Sequence, residues 1–110
     1  MQIPLFKPQT EWLPPENFPE LSKYSEIAID LETKDPNLKS KGSGSVIGEG
    51  EIVGIALATK SWSGYYPIAH EGGGNLEKQK VLDWVKEVCS NSATKIFHNA
   101  MYDVCWLRAY

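Results

Sequence analysis

Asp30 and Glu32 have the chemistry and the spacing of a metal or phosphate site. They end an apolar segment, Glu26 to Thr33, whose alternation and β-branched residues predict a strand. Residues two apart on a strand share a face, so the two carboxylates repel each other unless a cation or a shared proton compensates. A hard divalent cation such as Mg²⁺ or Mn²⁺ is the natural compensation. The alternative, which Asp-x-Glu alone favours, is that both acids lie at a solvated strand end.

Asn99 and Asp103 form a second pair, four positions apart, where a predicted strand (Thr94 to Phe97) leads into a helix from Ala100. This spacing puts both side chains on one helix face in the first turns, where the dipole favours an anion or a metal-bound phosphate. Taken alone, Asn99 is an N-cap and Asp103 compensates the dipole. Ligands of open α/β sheets collect at the carboxyl ends of strands, so acidic features at two strand ends favour a common site.

The elements that must position these residues follow an α/β pattern. Strands are predicted at 26–33, 51–59, 64–68 and 94–97, and the short connection 60–63 favours a hairpin between the second and third. A helix with Asn75 as N-cap is predicted from apolar residues at helical spacing, namely Val81, Leu82, Val85, Val88 and Cys89. The order of strands and helices indicates an α/β layered domain.

Two segments lie outside this pattern. Residues 1–25 carry Pro4, Pro8, Pro14, Pro15 and Pro19. Proline at this density predicts an extended arm, anchored by Trp12 and Phe18 on a domain that spans residues 26–110. The stretch from Lys34 to Gly50 is rich in Gly and Lys and is predicted to be a long loop. Its lysines, among them Lys39 and Lys41, either meet a phosphate backbone or stay solvated.

Composition bounds the class of protein. The chain has 110 residues, 42% of them apolar, which is enough for one modest domain. A net charge of −3 gives no basic field, so a nucleic acid would be held by local groups or by metal ions bridging to phosphate. Cys89 and Cys105 fall in apolar helical patterns without a CxxC companion, which predicts buried free thiols in a reducing cytoplasm. With no leader and no apolar span, we expect a soluble, unexported protein and no membrane partner.

Four motifs together resemble a known family. They are Asp-Leu-Glu-Thr at 30–33, Gly-Ile-Ala-Leu at 54–57, Tyr-Tyr-Pro-Ile at 65–68 and His-Asn-Ala-Met-Tyr-Asp at 98–103. In sequence and spacing they look like the DEDD 3′-to-5′ proofreading exonuclease domain of family A DNA polymerases. The proline-rich start, the Gly-rich insertion and His-Glu-Gly-Gly-Gly-Asn at 70–75 are similar to bacteriophage-type members. The resemblance covers nearly the whole chain.

The resemblance implies a fold and a site. The fold is an RNase H-like mixed sheet, with three antiparallel strands, a fourth parallel to the first, and flanking helices. The activity is hydrolysis of the 3′-terminal phosphodiester of single-stranded DNA with two divalent cations, Mg²⁺ or Mn²⁺. Asp30, Glu32 and Asp103 are then the catalytic, metal-binding residues, and Thr33 and Asn99 contact the terminal nucleotide.

The family's third motif, a Tyr or His separated by three residues from a final Asp, is absent. The residues four positions before the aspartates are Glu26, Leu31, Gln79 and Asn99. We therefore expect this chain to be the N-terminal piece of a longer polymerase, located in the cytoplasm of a phage-infected or bacterial host. By itself it should be inactive or nearly so, and it should be able to dimerise through exposed apolar surface. Two alternatives stay open: a non-catalytic module that binds single-stranded 3′ ends, and a structural or interaction fragment with solvated acids.

Overall fold

A computed structural model describes residues 14–110. In chain order the elements are β1 (Glu26–Lys34), α1 (Leu38–Lys41), α2 (Gly44–Ile47), β2 (Glu51–Ala58), β3 (Ser63–Pro67), α3 (Lys78–Ser90), β4 (Thr94–Phe97) and α4 (Ala100–Ala109). The sheet order is β3-β2-β1-β4. β1 pairs antiparallel with β2 and parallel with β4, and β2 pairs antiparallel with β3. The predicted fold class, a mixed α/β sheet of RNase H-like type, is confirmed.

Strand alternation divides the sheet into a buried and an open face. On β1, Ile27 and Ile29 are buried, whereas Asp30 and Glu32 are exposed on the other side. Helix α3 covers the buried face with Val81, Trp84, Val85 and Val88. The apolar stripe of α3 therefore fixes which face of β1 remains available for chemistry.

The segment before β1 is tied to the core through aromatic contacts. Phe18 stacks on Tyr66 with 5.5 Å between ring centroids and also contacts Trp84 at 5.5 Å. The Trp84 Nε1–H donates to the Pro19 carbonyl oxygen at 3.0 Å. Phe18 thus anchors this segment as expected, while Trp12 lies outside the described residues. The boundary at residue 25 stays a prediction.

The stretch from Lys34 to Gly50 is not the featureless loop that its composition predicts. It contains the one-turn helices α1 and α2, and the Asp35 carboxylate oxygens both accept from the Gly44 N–H at 3.1 Å. Asn37 donates to Glu49 Oε1 at 2.6 Å. Polar side chains of the segment thus bond its own backbone at Gly44 and one another at Asn37 and Glu49, which the count of Gly and Lys does not reveal.

Two predictions about the helices α3 and α4 are wrong in detail. Its N-cap is Glu77, whose side chain accepts from the Lys80 N–H at 2.7 Å, and not Asn75. Cys89 is exposed and Cys105 partly exposed, so neither is a buried thiol. Trp84 is the larger apolar side chain and occupies the buried position beside Val85 and Val88 instead. Within residues 14–110, none of the helices combines the length and apolarity of a membrane span.

Candidate functional site

The open face of the sheet carries a cleft whose lining includes Asp30. Asp30 pairs in register with Ala56 and Glu32 with Gly54, so small residues lie beside both carboxylates. The cleft has a volume of about 940 Å³ and is lined by residues of all four strands, among them Ala28, Asp30, Ala56, Tyr65 and His98. Its floor of alanines leaves room for a ligand next to Asp30.

Asp103 reaches this region from the first turn of α4. Its side chain is 3% exposed, and its Oδ2 has no hydrogen-bond partner. Burial raises the pKa of the Asp103 carboxyl, the negative charge of Asp30 raises it further, and His98 partly offsets both. The structure therefore brings Asp30 and Asp103 together across β1 and α4, although 73 positions of sequence separate them.

Glu32 has different neighbours. The Tyr65 hydroxyl donates to Glu32 Oε2 at 2.8 Å and shares a 2.5 Å hydrogen bond with His70 Nε2. His70 Nε2 itself lies 4.0 Å from Glu32 Oε2. Burial, followed by the bond to Glu32 and its charge, raises the pKa of Tyr65, so the hydroxyl stays protonated and donates. Sequence reasoning missed Tyr65 and left His70 unassigned.

The two predicted nucleotide contacts, Thr33 and Asn99, have different surroundings from each other. The Thr33 hydroxyl bonds the Tyr102 hydroxyl at 2.8 Å, and Tyr102 donates to Asp35 Oδ2 at 2.8 Å. The Asn99 side chain is exposed and caps no backbone N–H, while its carbonyl oxygen accepts from Asp103 N–H at 2.9 Å. Asn99 is free to meet a ligand, whereas Thr33 helps hold α4 against β1.

The predicted ligands Asp30, Glu32 and Asp103 can be compared with what a divalent cation requires. Within residues 14–110, no three or more His, Cys, Asp or Glu side chains are grouped closely enough to hold a metal ion. Asp30 and Asp103 form an oxygen pair with one buried, unpartnered oxygen, which fits a hard cation. Glu32 accepts a hydrogen bond from Tyr65 and lies two residues from Asp30 on the same face of β1, from where it would be the third ligand.

The chain is similar to a phage DNA polymerase. Over 91 residues it is 37% identical to the DNA-directed DNA polymerase of Pseudomonas phage M6, and the match covers 78% of this chain and 14% of the polymerase. The chain thus spans a small part of the length of that relative. No family model matches it. The similarity supports a relationship to a DNA polymerase, which is a nucleic-acid-processing enzyme.

Proposed function

We propose that this chain is the N-terminal part of a 3′-to-5′ proofreading exonuclease domain of a DNA polymerase. Its reaction is hydrolysis of the 3′-terminal phosphodiester of single-stranded DNA. The observation that supports this most is the buried Asp103 carboxylate beside Asp30, with an oxygen that lacks a partner. The Asp103 carboxylate is buried close to the negative charge of Asp30, which is costly to a fold unless a ligand compensates, and carboxyl groups perturbed in this way are characteristic of functional sites. The similarity to a DNA polymerase supports DNA as the substrate class in this proposal.

In this proposal Asp30, Glu32 and Asp103 hold two divalent cations, Mg²⁺ or Mn²⁺, in the cleft. Bound there, the cations supply charge neutralisation at phosphorus and lower the pKa of an attacking water. Asp30 contributes from the centre of the sheet and Asp103 from α4, so the two residues bracket the phosphate from different elements. Exposed Asn99, at the start of α4, contacts the terminal nucleotide, and Thr33 supports the same end of β1 through Tyr102.

The first experiment measures cation binding and nucleotide release together. We expect the 110-residue chain to bind Mn²⁺ weakly and to release nucleotides from a 3′-labelled oligonucleotide very slowly or not at all, because the third motif is absent. A longer chain that continues into the polymerase sequence should be active. Asp30→Asn should abolish both signals in both chains, because an amide is a poorer ligand for a hard cation than a carboxylate.

The matched control is Asp83→Asn, which changes an exposed carboxylate on α3 whose partner is Gln79 at 2.8 Å. This variant should leave Mn²⁺ binding and nucleotide release unchanged. An inert longer chain, tested with both Mg²⁺ and Mn²⁺, would contradict the nuclease assignment. Brisk cleavage by the 110-residue chain would instead show that a further ligand is supplied by another route, such as a partner subunit.

A second candidate function is a non-catalytic module that grips single-stranded 3′ ends. The observation in its favour is that the acids within residues 14–110 do not form a three-ligand cluster. Fluorescence anisotropy of a labelled oligonucleotide in the presence of a chelator separates the two functions. A module of this kind binds equally well without metal and with Asp30→Asn, whereas the nuclease loses affinity in both cases.

A further inference from the structure

We propose that Tyr65 and His70 are positioning residues that hold the Glu32 carboxylate in one orientation at the end of β1. The inference deepens the proposed function, because it rests on Glu32 being one of the residues that bind the cations. Nothing in the sequence motifs assigns a role to either residue.

Glu32 needs an external restraint to be a well-placed ligand. Its side chain is 61% exposed and projects from the open face of the sheet. An exposed glutamate samples several rotamers, and fixing it in one of them costs side-chain entropy. The Tyr65 hydroxyl donates to Glu32 Oε2. A rigid aromatic donor would thus bring the carboxylate into place before any metal arrives.

The chain provides a path for this contact at Gly54. Tyr65 belongs to β3 and Glu32 to β1, so the tyrosine ring has to cross the intervening strand β2. Gly54 is the residue of β2 that pairs with Glu32. A Cβ atom at Gly54 would overlap the Tyr65 hydroxyl and its Cζ and would lie 2.8 Å from Cε1. The missing side chain at position 54 is therefore what lets the Tyr65 hydroxyl reach Glu32.

His70 supports Tyr65 from the other side. The two rings meet edge to face, with 5.7 Å between centroids, and His70 Nε2 bonds the Tyr65 hydroxyl. His70 is itself fixed, because Asn75 Oδ1 accepts from its N–H at 2.7 Å and Asn75 Nδ2 donates to its carbonyl oxygen at 2.9 Å. The glycine-rich turn at 70–75 is thus closed by Asn75 with the imidazole directed at Tyr65. The Glu32 carboxylate is therefore held by Tyr65, and the position of Tyr65 depends in turn on Gly54, His70 and Asn75.

The decisive measurement uses the metal-free chain. Three-bond ¹³C and ¹H couplings of labelled Glu32 report its rotamer populations in solution. We expect one dominant rotamer in the wild type and averaging over several in Tyr65→Phe, which removes only the hydroxyl. Gly54→Ala keeps every hydrogen-bonding group but displaces the Tyr65 ring, so it should give the same averaging. Glu32 that is already averaged in the wild type, or unchanged in Tyr65→Phe, would overturn the inference.

Tyr66→Phe is the matched control. Tyr66 is the next residue of β3, but it faces the buried side, where its hydroxyl donates to the Asn17 carbonyl oxygen at 2.9 Å. Both variants lose one tyrosine hydroxyl from the same strand. Only Tyr65→Phe should alter Glu32. Equal effects on Glu32 in the two variants would mean that general loosening of β3, and not positioning, is responsible.

Titration with Mn²⁺ alone provides the second readout. Tyr65→Phe should weaken Mn²⁺ affinity by roughly tenfold, the lower end of the range for partners that orient metal ligands. His70→Gln, which keeps a polar group able to bond the Tyr65 hydroxyl, should retain more affinity than His70→Ala. Unchanged affinity in Tyr65→Phe would overturn the link to the metal. If the wild type binds no Mn²⁺ and the longer chain is inert, the proposed function fails, while the couplings still decide whether Tyr65 fixes Glu32.

Discussion

Asp103 is the one buried charged side chain among residues 14–110. Its pKa is raised, so the folded state binds a proton more tightly at this position than the unfolded chain does. The stabilising contribution of that proton is fully present below the ordinary pKa of 3.8. It is lost as the pH rises through the raised pKa of the folded state. At neutral pH and without metal, the ionised Asp103 carboxylate destabilises the folded state.

Asp103→Asn should therefore stabilise the metal-free chain at pH 7. The expected gain in the free energy of unfolding is about 1 kcal/mol, the scale of one uncompensated buried polar group. Urea unfolding in the presence of a chelator, at pH 4 and pH 7, measures it, and the gain should shrink at the lower pH. Added Mn²⁺ should reverse the order, because a ligand that binds the folded wild type stabilises it selectively.

Asp83→Asn serves as the surface control for this comparison, since Asp83 is exposed on α3. It should change the free energy of unfolding by less than about 0.5 kcal/mol at either pH. A lower stability of Asp103→Asn at pH 7 in chelator would contradict the argument. It would show that the carboxylate makes a contact that outweighs its burial.

Some contacts between individual residues were predictable from the sequence, and others were not. The proximity of Asp30 and Asp103 was expected from two strand ends, but only β4 ends there: Phe97 pairs with Ile29, whereas Asp30 lies in the middle of β1. The contact between Tyr65 and Glu32 was not predictable, because it depends on the register of two strand pairs and on a glycine between them. The identity of the ligand set stays a prediction.

Among the elements, the Tyr102 hydroxyl of α4 adds a hydrogen-bonded link to the segment of α1 and α2, where α2 also contacts α4. Tyr102 bonds both Thr33 and Asp35, and Asp35 in turn holds Gly44. Tyr102→Phe should lower the free energy of unfolding by about 1 to 2 kcal/mol, because it removes the hydrogen bonds of two partly buried side chains, Thr33 and Asp35, to the Tyr102 hydroxyl. Hydrogen exchange should speed up at the amides of α1 and α2, which measures the loss of this connection directly.

Tyr24→Phe is the control, because Tyr24 also bonds a side-chain hydroxyl, that of Ser61 at 3.0 Å, but on the exposed surface. Its removal should cost less than about 0.5 kcal/mol and leave exchange in α1 and α2 unchanged. Protection that persists there in Tyr102→Phe would show that the segment is held by its own contacts, such as the bond between Asn37 and Glu49.

Element types were more predictable than element ends. Period-two alternation identified β1, and the strand 94–97 was placed with its exact bounds, because these runs are short, apolar and flanked by polar residues. The N-cap of α3 was misplaced because Asn75 and Glu77 both suit a cap, and Asn75 is taken by the His70 turn. Local preference cannot decide between two such residues when a tertiary contact uses one of them.

For the molecule as a whole, the open face of the sheet determines how it meets other surfaces. Ile96, 46% exposed, lies in register with Ala28 on that face, and Ala56 and Ala58 line the same cleft. Exposed apolar surface of this kind favours association, so we expect the chain to form dimers at high concentration. Ile96→Lys should shift the equilibrium toward the monomer in sedimentation velocity.

Val46→Lys tests whether any added charge has this effect, because Val46 on α2 is even more exposed, at 76%. It should leave the association unchanged. A wild type that stays monomeric at high concentration would count against the dimer.

The α/β class and strand order were predictable at this scale because hairpin and alternation signals add up along the chain. Which apolar face stays uncovered depends on packing that no local pattern shows.

The glycine at position 54 also has a consequence for the evolution of this sheet. A methyl group there would occupy the space of the Tyr65 hydroxyl, so the two positions cannot vary independently. Across homologous chains, a side chain at position 54 should appear only together with a shorter residue at position 65. Where that exchange has happened, the donor to the acid at position 32 should come from a different strand or loop. An alignment deep enough to show paired substitutions would reveal this dependence without any protein being purified.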